Sequence, residues 1–238
     1  MGDDAPRASG VSPRGPLLAL DTSNPIGSVA IAEAGVVVAR AVLTRQAAHA
    51  SGLIPAIDEV LTAAGLTRDR LVGLVVGEGP GSFTGVRVAA ATAKGLSTAL
   101  GRPLWAISSL AAAAMVGARA TIRYALFDAR AERVYGACYG VGSFRVETLV
   151  EPHGAELRDL LDDDVPGGAV FCGNAAERHR ALIEGAGFEV ARREDETSLA
   201  DGLVEYMARC PGHAPVEDVG SWEPEYVRVS SAERLWKT

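Results

Sequence analysis

The chain repeats one order of apolar segments, and this repeat constrains the fold more than any other feature of the sequence. Three short apolar runs separated by turns occupy residues 17–43, and three more occupy residues 123–150. The first run of each set ends in an acid, Asp21 in one and Asp128 in the other. Alternating helical and strand-like segments follow each set. The sequence therefore predicts an α/β protein built from two copies of the order β-β-β-α-β-α-β-α.

This order is the plan of the actin, Hsp70 and sugar-kinase superfold, known as the ASKHA fold. We expect two actin-like subdomains. The first, residues 16–113, would carry partner docking, and the second, residues 114–238, would end in a tail that crosses back over the domains. Residues 1–15 lack an apolar period, and this predicts a disordered leader. Identity between the two halves is thin, so an unrelated α/β fold with two hairpin-rich halves stays open at this point.

Charge and cysteine usage limit the class of protein. A net charge of −7 disfavours a broad nucleic-acid surface on this chain alone, because phosphate binding depends on clustered Lys and Arg. The three cysteines are widely spaced, and this favours buried reduced thiols over a disulfide framework: Cys138, Cys172 and Cys210. No apolar stretch reaches the length of a membrane span, roughly 18–20 residues, and the leader lacks the apolar core of a signal peptide. These features together indicate a cytoplasmic protein without a membrane partner.

A glycine-rich segment, GEGPGSFTGVR at residues 77–87, lies between an apolar strand and a helix. Main-chain N–H groups at a helix start can bind an anion. The segment is neither a Walker loop nor a GxGxxG fingerprint, so a rigid strand-to-helix turn remains the alternative. Arg87 would oppose the helix dipole from the first turn. We therefore expect a compensating partner for it, which could be Glu78, a carboxylate of another chain or a phosphate.

Asp21 and Asp128 occupy the positions at which kinase-like members of the superfold hold metal-bound phosphates. The stretch DTSNPIGS at Asp21 lacks the glycine-rich turn of active nucleotide-binding members, so ATP hydrolysis is not expected, whereas nucleotide binding stays open. The residues predicted to contact an anion or nucleotide combine this stretch with the glycine-rich segment: Asp21, Thr22, Ser23, Gly79, Gly81, Ser82, Thr84, Gly85 and Arg87.

The helix after the glycine-rich segment has small side chains on nearly every face, and an amphipathic helix precedes it. One interpretation is a helix buried in its own domain. The other is a helix-on-helix contact with another subunit, because small faces let backbones approach closely. Under the second interpretation the partner-contact residues are Leu53, Ile57, Leu61, Val86, Ala89, Ala90, Ala91, Ala93 and Lys94.

Residues for independent catalysis are not evident. Ser82 lacks the G-x-S-x-G spacing of a nucleophile elbow. The four histidines are scattered, without the i, i+3 or i, i+4 spacing of a helical metal site: His49, His153, His179 and His213. Near the end, Trp222 and Tyr226 flank a proline, and such aromatics serve either as interface anchors or as core residues beneath a returning tail. We predict no catalytic residue and no metal ligand.

Five motifs, in the order LALDTS, HASGLIPAIDEVL, GPGSFTGVR, DARAERVY and PEYVR, together resemble the bacterial TsaB (YeaZ) family over about residues 17–229. The resemblance implies an actin-like, non-catalytic subunit that binds a TsaD-like transferase and is joined by a TsaE-like ATPase. That machinery makes N6-threonylcarbamoyladenosine beside the anticodon of tRNAs that read codons beginning with A. The resemblance also implies that this chain contacts tRNA only as part of the complex and that the isolated chain can form a homodimer. It implies no intrinsic cofactor, although a nucleotide could lie at the interface with the partner.

TsaD itself has an Asn-His-Leu-Glu-x-His stretch after the fifth strand, and its two histidines hold a metal. This chain has SSLAAA there, at residues 108–113, so both ligand positions lack an imidazole. The resemblance therefore implies a non-catalytic chain. The alternatives are a stand-alone nucleotide-binding ATPase or kinase-like protein of the same superfold, and a peptidase, which would need a bound metal.

Overall fold

The computed structural model of the chain describes residues 15–43, 49–117, 119–130, 132–163, 165–192, 198–224 and 227. Most of the predicted leader, up to residue 14, lies outside these residues, as does Tyr226. The first half consists of these elements, in chain order: β1 (Leu17–Asp21), β2 (Gly27–Glu33), β3 (Val36–Leu43), α1 (His49–Ala63), β4 (Gly73–Gly77), α2 (Phe83–Leu100), β5 (Leu104–Ile107) and α3 (Ser109–Gly117).

The first sheet has the strand order β3-β2-β1-β4-β5. β1 pairs with β2, and β2 with β3, in antiparallel fashion, whereas β4 and β5 run parallel to β1. The central strands β1 and β4 are buried along their whole length. Their sequences are continuous apolar runs because helices cover both faces of the sheet.

The second half consists of β6 (Ile122–Asp128), β7 (Arg133–Val141), β8 (Val146–Glu156), α4 (Leu157–Asp162), β9 (Val170–Cys172), α5 (Asn174–Arg178), α6 (Arg180–Gly185), β10 (Glu189–Val190) and α7 (Leu199–Arg209). Its sheet has the order β8-β7-β6-β9-β10, which repeats that of the first sheet strand for strand. The parallel and antiparallel pairings also repeat. The predicted duplicated α/β fold of the ASKHA type is therefore confirmed.

Two helices, α3 and α7, lie between the sheets and form a central core with one face of each sheet. α1 and α2 cover the opposite face of the first sheet, and their apolar side chains form an outer core there. α4, α5 and α6 cover the opposite face of the second sheet. Because α7 packs on β1, β2, β3 and β4, the last helix of the chain belongs physically to the first sheet, although it follows the strands of the second.

The predicted subdomain boundary, between residues 113 and 114, falls inside α3. Ala113 and Ala114 are both buried in the central core, where α3 packs against α7 and against β6 and β7 of the second sheet. Buried Arg123, at the start of β6, donates hydrogen bonds to the carbonyl oxygens of Ala114 at 2.7 Å and Met115 at 3.0 Å. Burial lowers the pKa of this guanidinium. The end of α3 is thereby tied to the second sheet, and the predicted boundary is not a break in packing.

The cysteines match their predicted setting only in part. Cys138 and Cys172 are buried free thiols, whereas Cys210 is half-buried at the end of α7. Burial raises the pKa of Cys138 to about 11, which keeps that thiol protonated at neutral pH. None of the described helices is long and apolar enough to cross a membrane.

Candidate functional site

The glycine-rich segment closes over the carboxyl end of β1, at which Asp21 is 0% exposed. One carboxylate oxygen of Asp21 accepts hydrogen bonds from the main-chain N–H and the hydroxyl of Ser23, both at 2.7 Å. The other accepts from the hydroxyl of Ser109 at 2.6 Å. Ser109 in turn accepts from the N–H of Gly79 at 3.1 Å. The carboxylate thus joins β1, the glycine-rich segment and the start of α3.

Further close contacts hold the segment against the end of β1. The hydroxyl of Thr22 donates to the carbonyl oxygen of Gly85 at 2.6 Å, and the N–H of Ser82 donates to the carbonyl oxygen of Ser23 at 2.7 Å. A Cβ atom at Gly85 would lie 1.9 Å from the carbonyl oxygen of Thr22. Glycine is required at this position because two backbones are in direct contact.

Six of the residues predicted to contact an anion or nucleotide are therefore enclosed by the chain itself: Asp21, Thr22, Ser23, Gly79 and Gly85 are buried, and Gly81 is packed against the backbone of Ser23. Their polar groups bond to one another instead of facing solvent, which favours the rigid-turn interpretation at these positions. Ser82 is half-buried and caps α2, where it accepts from the N–H of Gly85 at 3.3 Å. Thr84 and Arg87 are exposed.

Arg87 has a compensating partner of a kind that its sequence context did not suggest. Its guanidinium lies over the ring of Phe83, 4.0 Å from the ring centroid. Phe83 is itself 57% exposed at the start of α2. A cation over an aromatic face is attracted by the ring quadrupole. This contact offsets part of the unfavourable interaction of Arg87 with the helix dipole.

The equivalent acid of the second copy has a different environment. Asp128 forms an ion pair with Arg178 at the surface, and one of its carboxylate oxygens accepts from the N–H of Arg130 at 2.8 Å. Asn174, at the start of α5, accepts from the N–H of Asp128 at 3.2 Å and donates to Asn24 of the first copy at 3.5 Å. The two copies therefore touch through an amide pair beside these acids. Sequence reasoning gave no role to Ser109, Asn24 and Asn174, because the groups that they bond to lie far away along the chain.

Seven of the nine residues predicted to contact a partner are buried within the chain: Leu53, Ile57, Leu61, Val86, Ala89, Ala90 and Ala93, each 0–4% exposed. Side chains with so little exposed surface have almost nothing left to bury against another subunit. The structure therefore corrects these seven from partner contacts to core residues. The burial follows from α1 and α2 lying flat against the first sheet.

Lys94 is the eighth of these residues, and its ammonium is also engaged within the chain. Nζ donates to the carbonyl oxygens of Gly220 at 3.0 Å and Trp222 at 2.7 Å. These residues belong to the segment after α7, residues 213–222, hereafter the strap. Trp222 packs against the outer core of the first sheet, as expected for a tail that crosses back.

Ala91 alone of the nine is exposed. It shares one face of α2 with Thr84, Arg87, Gly95 and Thr98, which are also exposed; Ala91 and these residues, together with exposed Ile54 of α1, are hereafter the docking face. Ile54 is 45% exposed, which is high for a large apolar side chain on a helix. A Cβ atom at Gly95 would meet nothing within 4 Å, so this part of α2 is open.

α3 begins at the position where the resemblance places the metal-binding histidines of TsaD. Here the side chains of Ser109, Leu110, Ala111, Ala112 and Ala113 are all 0–3% exposed. Within the described ranges, no group of three or more His, Cys, Asp or Glu side chains could hold a metal ion. This stretch serves as packing between the two sheets.

Comparisons with known proteins point to one family. The family model of TsaD, tRNA N6-adenosine threonylcarbamoyltransferase, matches residues 36–196. The tRNA threonylcarbamoyladenosine biosynthesis protein TsaB of Bacillus subtilis is 28% identical over 229 residues, which are 92% of this chain and 97% of the relative. An uncharacterized protein of Mycobacterium tuberculosis is 35% identical over 169 residues, which are 70% of this chain and 75% of that protein.

The fold is also similar to solved structures. The structure of YeaZ from Pseudomonas aeruginosa superposes with a TM-score of 0.75 at 25% identity, over 89% of this chain and 99% of that one. A second structure, of a protein with similarity to the peptidase YeaZ from the same organism, gives a TM-score of 0.74 at 28% identity. It covers 90% of this chain and 100% of that chain.

Proposed function

Because the chain belongs to the TsaD family, and within it to the TsaB (YeaZ) proteins, we propose that it takes part in threonylcarbamoyladenosine biosynthesis in tRNA. Its role in the proposal is that of a non-catalytic subunit that binds a TsaD-like transferase. The match to B. subtilis TsaB spans 92% of this chain and 97% of the relative, so the proposal concerns the chain as a whole and not one of its two copies.

The start of α3 is the observation that carries the non-catalytic part of the proposal. A metal site there would need donor side chains and open space, and the chain offers neither, since Leu110 and Ala112 are 0% exposed and no imidazole is present. The closed surroundings of Asp21 support the same conclusion, because a carboxylate that accepts three internal hydrogen bonds is not available to a phosphate-bound metal.

We place the TsaD-like subunit on the docking face. Its small residues, Ala91 and Gly95, allow a second helix to approach the backbone of α2 closely, and Ile54 adds an apolar anchor. Phe83 and Arg87 lie at one end of the face and are residue types enriched at the centres of interfaces.

Ala91→Glu is expected to weaken binding of the TsaD-like subunit at least about tenfold, because a carboxylate would be buried at the contact without a partner. Binding is measured by calorimetry between the purified chains. The matched control is Ala181→Glu, which makes the same change at an exposed alanine of a helix on the second copy. Ala93→Glu is unsuitable because Ala93 is 0% exposed and the charge would disrupt the core.

Equal affinity for the parent and Ala91→Glu would remove α2 from the interface. Failure of the folded parent to bind the TsaD-like chain at micromolar concentration would contradict the subunit role itself. Depletion of the protein in its host, followed by mass spectrometry of tRNA nucleosides, tests the pathway: we expect loss of threonylcarbamoyladenosine, restored by the parent and not by Ala91→Glu.

Three parts of the proposal rest on family resemblance. A TsaE-like ATPase joins the complex, a nucleotide lies at the interface between the two related subunits, and the isolated chain self-associates through the docking face. An exposed apolar face tends to pair with an equivalent copy when its partner is absent, which supports the last part. Sedimentation tests these three parts of the proposal. It is measured for the chain alone, for the chain with the TsaD-like subunit, and for the chain with both partners and Mg-ATP.

A further inference from the structure

The strap runs along β5, one of the two edge strands of the first sheet. The main-chain N–H of Val216 donates to the carbonyl oxygen of Leu104 at 2.8 Å. Nε2 of His213 lies 3.0 Å from the carbonyl oxygen of Ala106, and this nitrogen carries a proton because a carbonyl can only accept. The indole of Trp105 donates back to the carbonyl oxygen of His213 at 3.2 Å. The strap is therefore bonded to three consecutive residues of β5.

The carbonyl groups of β5 that accept hydrogen bonds from the strap lie on the side of β5 that faces away from β4. β5 is held to its neighbour β4 through the carbonyl oxygens of Pro103 and Ile107. Alternate residues of a strand direct their main-chain groups to opposite sides, so those of Leu104 and Ala106 point away from β4. Unpaired groups of this kind on an edge strand are a template for pairing with another chain. The strap occupies the place that a sixth strand would take.

The far end of the strap is fixed by a turn that presents two carbonyls to Lys94. Asp218 accepts from the N–H of Gly220 at 2.8 Å and from the hydroxyl of Ser221 at 2.7 Å. These bonds, that of Ser221 foremost, hold the pKa of Asp218 below its usual range. The turn directs the carbonyl oxygens of Gly220 and Trp222 at Nζ of Lys94. Val216, Val219 and Trp222 pack beneath it on the outer core.

We propose that the strap is a self-covering device, latched by Lys94, that closes the β5 edge of the first sheet against pairing with a second copy of this chain. The inference is argued from the contacts of the strap with β5 and Lys94, so it is independent of the proposed role in tRNA modification. A carbonyl hydrogen bond from a charged donor is stronger than one from a neutral donor, which makes Lys94 the contact whose loss should free the strap.

Lys94→Met in the full chain keeps the aliphatic length of the side chain and removes the charge. We expect the main-chain N–H of Val216 to exchange with deuterium at least about tenfold faster than in the parent. We also expect the mean sedimenting mass to rise with protein concentration. The control is Arg68→Met, which removes an exposed cation paired with Asp58 in the first copy and should change neither measurement.

Val216→Pro tests the strap from its other end, without touching α2. It removes the N–H that bonds Leu104, so Lys94 should become more reactive toward acetic anhydride. The chain has two lysines, Lys94 and Lys237, and the second serves as an internal reference for the extent of acetylation. A reactivity ratio equal to that of the parent would show that the two ends of the strap are not coupled and would overturn the latch.

Two further outcomes would overturn the proposal. If the hydrogen-exchange rate of the Val216 amide in Lys94→Met is within about twofold of the rate in the parent protein, Lys94 does not hold the strap. Faster exchange with an unchanged sedimenting mass would mean that the strap does not guard the edge against self-pairing. Repeating the sedimentation in the Ala91→Glu background removes association through the docking face, so that edge pairing is measured alone.

Discussion

Gly202→Ala is expected to destabilise the protein by about 2–3 kcal/mol, although alanine is normally the better helix residue. Gly202 lies within α7, where that helix crosses α3 between the two sheets. A Cβ atom at this position would lie 2.1 Å from the carbonyl oxygen of Ala112 and 2.7 Å from its carbonyl carbon. Both are backbone atoms, so the methyl group fits only if the helices separate.

Gly95→Ala provides the matched control, because it makes the same change within α2 at an exposed site. A Cβ atom there would meet nothing within 4 Å, so alanine should stabilise the protein by about 0.5–1 kcal/mol through its helix propensity. Urea unfolding followed by circular dichroism measures both changes. Effects of the same sign at Gly202 and Gly95 would contradict the close backbone contact of α3 and α7.

Asp21→Ala is expected to cost about 3 kcal/mol or more of unfolding free energy. The change leaves the N–H of Ser23, and the hydroxyls of Ser23 and Ser109, without their acceptor in a buried site, at about 1–3 kcal/mol for each group left unsatisfied. Asp21→Asn should cost less, because its amide oxygen still accepts from Ser23. The midpoint temperature of unfolding and the affinity for the TsaD-like subunit should fall together. The reason is that the same carboxylate holds the glycine-rich segment from which α2 starts.

Asp128→Ala is the control from the second copy. The carboxylate of Asp128 is 28% exposed and its partner Arg178 is 64% exposed, so the pair contributes little. We expect a loss of no more than about 1 kcal/mol. If Asp21→Ala proved as mild as Asp128→Ala, the buried carboxylate would not be the structural centre of the segment, and a role in ligand binding would have to be reconsidered.

Much of the fold could be predicted from the sequence, because a strand buried on both faces is a continuous apolar run that turn residues delimit. The runs that became β1 and β6 each end in an acid, and this made the duplication visible although identity between the halves is thin. The structure departs from the predicted order where local signals are weak. The predicted order has one helix before the last strand of each copy, whereas the second copy has two, α5 and α6, which meet at His179 before the two-residue strand β10.

The candidate site was predicted in position but not in role. The glycine-rich segment was located between β4 and α2, where the structure has it. Its enclosure could not be foreseen, since the acceptor Asp21 and the donor Ser109 are 88 positions apart and no pattern connects them. The outer helices gave a similar outcome: α2 carries small residues on all sides, so periodicity could not separate the buried Ala89 and Ala93 from the exposed Ala91.

The order of strands and helices, its duplication and the family resemblance were determined by the sequence alone, because they depend on neighbouring residues and on motifs that are read locally. The tertiary structure decided which face of α2 is core, that Gly202 lies against the backbone of Ala112, and that Lys94 donates to two carbonyl oxygens of the strap. Each of these depends on an atom contributed by a distant part of the chain. Only folding of the whole chain brings such atoms within contact distance.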